Sequence, residues 1–346
     1  MERIKALDGW RAIAALGVVW IHVWTYCGNP SLLIAGFDIY KPLAIIGNGV
    51  DFFFVISGFC LYLVLYKKNI DGSVYINYIK KRWLRIAPAF YSAAFIIVFC
   101  SLASNAVLKL LVNFLFLQNA FPLLTISAPF WSLGVEFHFY ILLPLFFILS
   151  NKIKIRNTLI VFFIIGLILN FIFIQDEYRY QLVTKVIHFT VGITIAWLYT
   201  SRDLKESNYH KRSFFILSIL LAFVGRFLMS RQFVGDAGIW SRCFIAFAPV
   251  FLVVGFGGML LHTIINSKTF TFLSNKIMSF LGRISYSIYL WHSFLLGLVG
   301  KIVLPELKWG SGDPIALFFI VQLILIPVSY ASYLLFERFY FSKKMQ

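Results

Sequence analysis

The sequence predicts an all-α protein, a multi-pass transmembrane helical bundle of about ten spans with both termini cytoplasmic, and three observations predict it. Sixty per cent of the 346 residues are hydrophobic and only 13% are charged, with a mean hydropathy of +0.85, far too apolar for a soluble globular chain. Apolar runs of about 20 residues, enough to cross a hydrocarbon core as a helix, recur from end to end. Lys and Arg gather in alternate connecting segments, as cytoplasmic loops do. A large soluble catalytic domain is thereby excluded. The net charge of +17 is read as loop anchoring and not as a nucleic-acid surface.

Bounded by charge, Gly or Pro, the runs lie at 12–27, 43–66, 87–106, 130–150, 158–175, 182–200, 213–230, 243–265, 281–303 and 315–336. Helices are required because lipid offers no partner to an unpaired backbone group. The first run follows Arg3, Lys5 and Arg11 and resembles a signal peptide, but no small-residue cleavage site follows Val23 to Tyr26, so it reads as an uncleaved helix. Residues 108–121 are apolar but too short to span, hence re-entrant or interfacial. With the N-terminus inside, 22 of the 31 Lys and Arg fall on the cytoplasmic side, which fixes the orientation. Cys27, Cys60, Cys100 and Cys243 have neither ligand nor disulfide spacing, and no metal is expected. With no repeat and no linker, residues 1–346 read as a single integral-membrane domain.

Most of the carboxylates lie in loops or at span ends, whereas Asp51 and Glu136 sit inside spans two and four, where a charge costs several kcal/mol and needs a partner or a function. His22, His138 and His292 are the nearby basic candidates. Counting about 1.5 Å per residue brings His22, Asp51, Glu136 and His292 near the midplane or into the outer half. Each alone could be a structural group joining helices; together they imply a shared polar pocket. Arg11 and His22, eleven positions apart, return to within roughly 20° of one helix face after about 16 Å. That distance is similar to the reach of an extended phosphopantetheine arm. Lys80, Lys81, Arg82 and Arg85 precede Pro88, and the i, i+3 arginines share a face suited to phosphate oxygens. The plainer reading of this basic run is positive-inside anchoring.

Five stretches, in order, resemble the acyltransferase-3 family of integral-membrane O-acyltransferases: LDGWRAIAALGVVWIH, which holds Arg11 and His22; GVDFFFVISGF at 49–59; KRWLRIAPAFY at 81–91; WSLGVEFHFYILLP at 131–144; and LGRISYSIYLWH at 281–292. The resemblance implies a bacterial inner-membrane enzyme. It would move an acyl group, usually acetyl from cytoplasmic acetyl-coenzyme A as cosubstrate, to a hydroxyl of a surface or secreted carbohydrate or its lipid-linked precursor. It also implies that His22 is catalytic and that Arg11, Arg82 and Arg85 bind the donor; Lys81 joins them as a donor-binding candidate from the basic run itself. Many members carry Glu-Glu-Gln where this chain has Glu136, Phe137 and His138, so any role of the second acid is absent or moved to His138. Some members have a C-terminal esterase-like domain; here the chain ends about ten residues after the last span, so a second step is expected to need a separate protein.

The expected chemistry is general-base catalysis by neutral His22, with Glu136 or Asp51 orienting the ring and stabilising its charged form. A covalent acyl-histidine is the other route. The competing class is a transporter or flippase for an anionic lipid or sugar, in which Asp51, Glu136 and the histidines relay protons; it would favour inverted repeats, and none is visible. Expected partners are acyl-coenzyme A, a carbohydrate acceptor and membrane lipids, with monomer and homodimer both open. Ser57 and Gly58 read as a close helix contact. On a straight helix His292 would point about 180° from Arg283. The outward loops at 28–42, 176–181, 232–241 and 305–314 carry aromatic and polar residues suited to sugars.

Overall fold

Each of the ten apolar runs is helical over most of its described residues in a computed structural model that describes residues 4–43, 45–173, 180–201, 208–229, 239–303 and 313–339. The helices are α1 (Lys5–Tyr26), α2 (Tyr40–Leu43), α3 (Gly49–Leu65), α4 (Gly72–Ser101), α5 (Ala106–Phe114), α6 (Trp131–Ile153) and α7 (Ile155–Ile172), then α8 (Val186–Ser201), α9 (Arg212–Leu228), α10 (Ile239–Ile265), α11 (Lys276–Arg283), α12 (Ser285–Val303) and α13 (Asp313–Ser332). Among the described residues eight helical segments are long and apolar enough to cross a membrane. The two remaining predicted spans are shorter. Helix α8 has 16 residues, extended at its start by a 3-10 turn over Leu182–Thr184, and α9 has 17. The outward loops at 176–181, 232–241 and 305–314 lie wholly or mostly outside the described residues.

The predicted short stretch becomes α5, nine residues or about 14 Å, too short to cross. Asn113 holds it to the following turn by donating to the Lys109 and Leu124 carbonyls. After α1 the chain turns through a two-stranded antiparallel hairpin, Leu33 opposite Asp38 and Ile34 opposite Phe37. Asp38 pins its base by accepting from the Leu32 and Tyr40 amides.

The described chain falls into two compact units. One comprises Met1–Trp10, Asp51–Asn77 and His138–Ser279; the other comprises Arg11–Val50, Tyr78–Phe137 and Phe280–Gln346. In the first, α9 packs on α10, and α8 packs against α7 and α10. Gly58 of α3 lies on the Phe189 backbone of α8, so close that a side chain would collide with the carbonyl. This is the tight helix contact the sequence suggests. In the second, α12 packs on α13, Trp20 of α1 stands edge-on to Tyr40 and Phe318, and Tyr286 of α12 donates to the Ile86 carbonyl of α4.

Two boundaries differ from the sequence reading in ways that matter for the site. Span two starts later than residue 43, because a short helix and a 3-10 turn occupy 40–48. Asp51 therefore stands in the first turn of α3, where the helix dipole favours an anion. Helix α4 starts at Gly72, so Lys80 to Arg85 lie within 30 continuous helical residues and not before them.

Candidate active site

Arg11 and His22 share one unbroken helix, and eleven positions at about 1.5 Å each keep them on nearly one face about 16 Å apart. His22 Nδ1 lies 2.8 Å from the Val18 carbonyl one turn earlier. A carbonyl oxygen only accepts, so Nδ1 carries the hydrogen and Nε2 keeps its lone pair. On α12, His292 repeats the arrangement, its Nδ1 2.7 Å from the Tyr289 carbonyl. The two imidazole centres are 5.0 Å apart with their planes tilted by 58°. His22 is half-buried, whereas His292 is 0% exposed and its Nε2 has no hydrogen-bond partner. The sequence reading of His292 against Arg283 assumes a straight helix. The chain instead changes helix at Ile284, so the two side chains belong to different segments.

Tyr289 extends the group to α6. Its hydroxyl donates to the Pro129 carbonyl at 2.5 Å, which leaves Ser132 Oγ, 2.7 Å away, to donate to the phenol oxygen. Glu136 stands one turn after Ser132 and acts electrostatically on Tyr289. Three helices thus place His22, His292, Tyr289, Ser132 and Glu136 in one polar group.

The basic run sorts itself by face. Arg82 is 4% exposed, its guanidinium lies 5.7 Å from the Tyr78 ring, and its Nε has no hydrogen-bond partner. Arg85 is half-buried, whereas Lys80 and Lys81 are exposed. The i, i+3 arginines therefore turn inward and the lysines outward. Arg85 and Arg11 both act on Glu337, a buried carboxylate in a π-helical turn over Tyr333–Glu337, which accepts a hydrogen bond from Ser287 at 2.5 Å. Sequence reading leaves Glu337 among the ordinary span-end acids; its only signal is an acid following an apolar run.

Asp51 belongs to the other unit, and its described partners are there. One carboxylate oxygen, Oδ1, lies 3.1 Å from Lys185 Nζ and 2.9 Å from His188 Nε2. Neither partner was singled out in the sequence. Among the described residues no group of three or more His, Cys, Asp or Glu is placed to hold a metal.

The family model described as an acyltransferase domain matches residues 4–334. The O-acetyltransferase OatA of Staphylococcus aureus (strain NCTC 8325 / PS 47) is 26% identical over 328 residues, covering 84% of this chain and 50% of that protein. A second protein, from S. aureus strain COL and provisionally named O-acetyltransferase SACOL0978, is 23% identical over 340 residues, covering 86% of this chain and 52% of its own length. The chain thus spans about half the length of the curated relatives it matches. No solved structure matches.

Proposed function

Since this chain belongs to the acyltransferase-domain family, whose model matches residues 4–334, we propose that it is a membrane O-acyltransferase. It moves an acyl group, acetyl foremost, from acyl-coenzyme A at the cytoplasmic face to a hydroxyl of a carbohydrate handled at or beyond the bacterial inner membrane. One observation carries the reading. His22, in line with Arg11 on one helix, has its Nδ1 hydrogen committed to the Val18 carbonyl, so a neutral ring offers Nε2 as a base.

In this reading Nε2 of His22 takes the proton as the acceptor oxygen bonds to the thioester carbonyl carbon. The carbon–sulfur bond then breaks and the proton passes to the departing sulfur. Arg11, Arg82 and Arg85 hold the donor phosphates. The unpartnered, buried Nε of Arg82 supports that role, because a guanidinium left incompletely bonded in a buried place has capacity for an anion. Lys81, exposed on the other face, serves as an outlying charge. Because Val18 already orients the ring, Glu136 is assigned the stabilisation of positive charge, acting from α6 beside Tyr289. Asp51 is assigned to holding Lys185 and His188.

The test is transfer of radiolabel from acetyl-coenzyme A by purified protein in detergent. A positioned base is worth about 10² to 10⁴ in rate, so His22→Ala is expected to lose at least that much at unchanged expression. Transfer by that variant at the wild-type rate would overturn the reading. Label retained on protein without acceptor would replace the base with an acyl-histidine.

A further inference from the structure

Glu337 is a carboxylate that the fold turns inward by a local departure from α-helical geometry. The buried residues of α13 include Leu325, Ser329 and Ser332, at the ordinary three- and four-residue steps of one helix face. Five residues beyond Ser332, at about 100° each, an α-helix would carry position 337 roughly 140° away from that face. The chain instead runs through a π-helical turn over Tyr333–Glu337, whose i→i+5 closure brings the fifth residue back towards the starting face. Ser332 and Glu337 are accordingly both 3% exposed. Ser287 of α12 reaches both, its Oγ 3.0 Å from Ser332 Oγ and 2.5 Å from Glu337 Oε1. Such widened turns are rare and gather at functional sites, so the inward carboxylate calls for a role.

What it faces supplies one. Arg11 of α1 and Arg85 of α4 act on it electrostatically, and Tyr286, next to Ser287, ties α12 to α4 at the Ile86 carbonyl, one residue past Arg85. All of these residues belong to one compact unit, and the two arginines are among the three assigned to the donor phosphates. From this we infer that Glu337 is a positioning residue of the donor site: it holds the Arg11 and Arg85 guanidiniums together and oriented before acyl-coenzyme A arrives. The inference rests on the proposed donor role of these arginines. Two half-buried cations near one another repel, and a carboxylate that acts on both offsets the repulsion. A guanidinium presents five N–H donors in one plane, so an edge held by a carboxylate leaves others for a phosphate oxygen. Three arginines against one acid still leave the site cationic, for a donor that carries several phosphate charges. Arginines ordered in advance also spare the donor the entropy of ordering them.

Glu337→Gln keeps the shape and a partner for Ser287 and removes the charge. Binding of coenzyme A to the purified protein in detergent, measured by calorimetry, should weaken about tenfold, and KM for acetyl-coenzyme A should rise about as much with kcat within about threefold. A packing role would not depend on the arginines, whereas a positioning role must. In an Arg85→Ala background the same substitution is therefore expected to cost no more than about threefold. Unchanged or tighter binding in Glu337→Gln, or the same loss with and without Arg85, would overturn the inference. Should Glu337→Gln fail to fold, Ser287→Ala decides, since it removes the hydroxyl that orients the carboxylate. A weakening of about threefold that vanishes in the Arg85→Ala background supports the positioning role; unchanged binding, or a loss that persists there, rules it out. Arg11→Ala and Arg85→Ala tell the two failures apart. If neither weakens coenzyme A binding, the donor assignment falls and this inference with it; if both weaken it while Glu337→Gln does not, only the inference falls.

Discussion

Arg82 combines burial, a ring contact with Tyr78 and a nitrogen without a partner, so its charge-assisted bonds are available to something that arrives. Bonds of that kind contribute about 1.5 to 3 kcal/mol each. Arg82→Ala should therefore raise KM for acetyl-coenzyme A by roughly 10- to 100-fold with kcat within about threefold, and Arg82→Lys should recover little because it restores charge without the planar fork. An unchanged KM would return Arg82 to a structural role. Cys27, just past α1, has its thiol pushed up to about 11, chiefly by burial and secondarily by the Asp313 carboxylate. Since the thiolate is the nucleophile, alkylation of Cys27 by iodoacetamide should keep accelerating above pH 9 toward pH 11. Asp313→Asn should move that rise to lower pH, and a plateau by pH 9 would contradict it. The sequence showed which residues were out of place in lipid but not which of them meet. His22 and Arg11 were legible because they share one helix. The pairing of His22 with His292, of Arg11 and Arg85 with Glu337, and of Asp51 with Lys185 and His188 joins residues from different helices, which periodicity on a single helix cannot reveal.

Among the helices, existence was legible and ends were not. Each of the ten apolar runs holds helix among its described residues, eight of the resulting segments being long and apolar enough to cross a membrane, because length and hydropathy are set by the hydrocarbon they must cross. The starts of α3 and α4 moved in opposite directions for local reasons. Gly47 and Gly49 stand in and after a 3-10 turn that delays α3, while the polar turn at the start of α4 continues smoothly into an apolar helix. The shift of α3 alone changes Asp51 from a mid-span charge into a residue of a first turn. Close approach is also a property of helix pairs. A methyl group at Gly58 would strike the Phe189 carbonyl of α8, whereas Gly72, at the start of α4, has open space around it. Overpacking of a tight contact costs about 1 to 3 kcal/mol. Gly58→Ala should therefore lower the melting temperature in detergent and Gly72→Ala should leave it nearly unchanged. Equal melting temperatures for the two would mean that α3 and α8 are not held together at this point.

The whole chain is governed by the side on which its charges lie. Among the described residues eight segments are long and apolar enough to cross a membrane, and with 22 of 31 Lys and Arg in the stretches that the sequence assigns to one side, the proposed orientation has the N-terminus inside. The proposed reaction depends on that sense. Arg11 has to face the compartment that holds acyl-coenzyme A, and the end of α1 beyond His22 has to face the acceptor. The hairpin after α1 and the connection after α3 should then lie on opposite sides. Leu33, in the hairpin, is 67% exposed, and Lys68, between α3 and α4, is exposed, so either position accepts a reporter without disturbing packing. With the four native cysteines replaced by serine, Leu33→Cys should react with a membrane-impermeant maleimide added to cells whose outer barrier has been opened. Lys68→Cys should react only after the inner membrane is lysed. The reverse pattern would put the arginines on the side without coenzyme A and remove the donor from the proposed mechanism. Labelling of both before lysis would mean that α3 does not cross, and the proposed alternation of sides would fail at that helix.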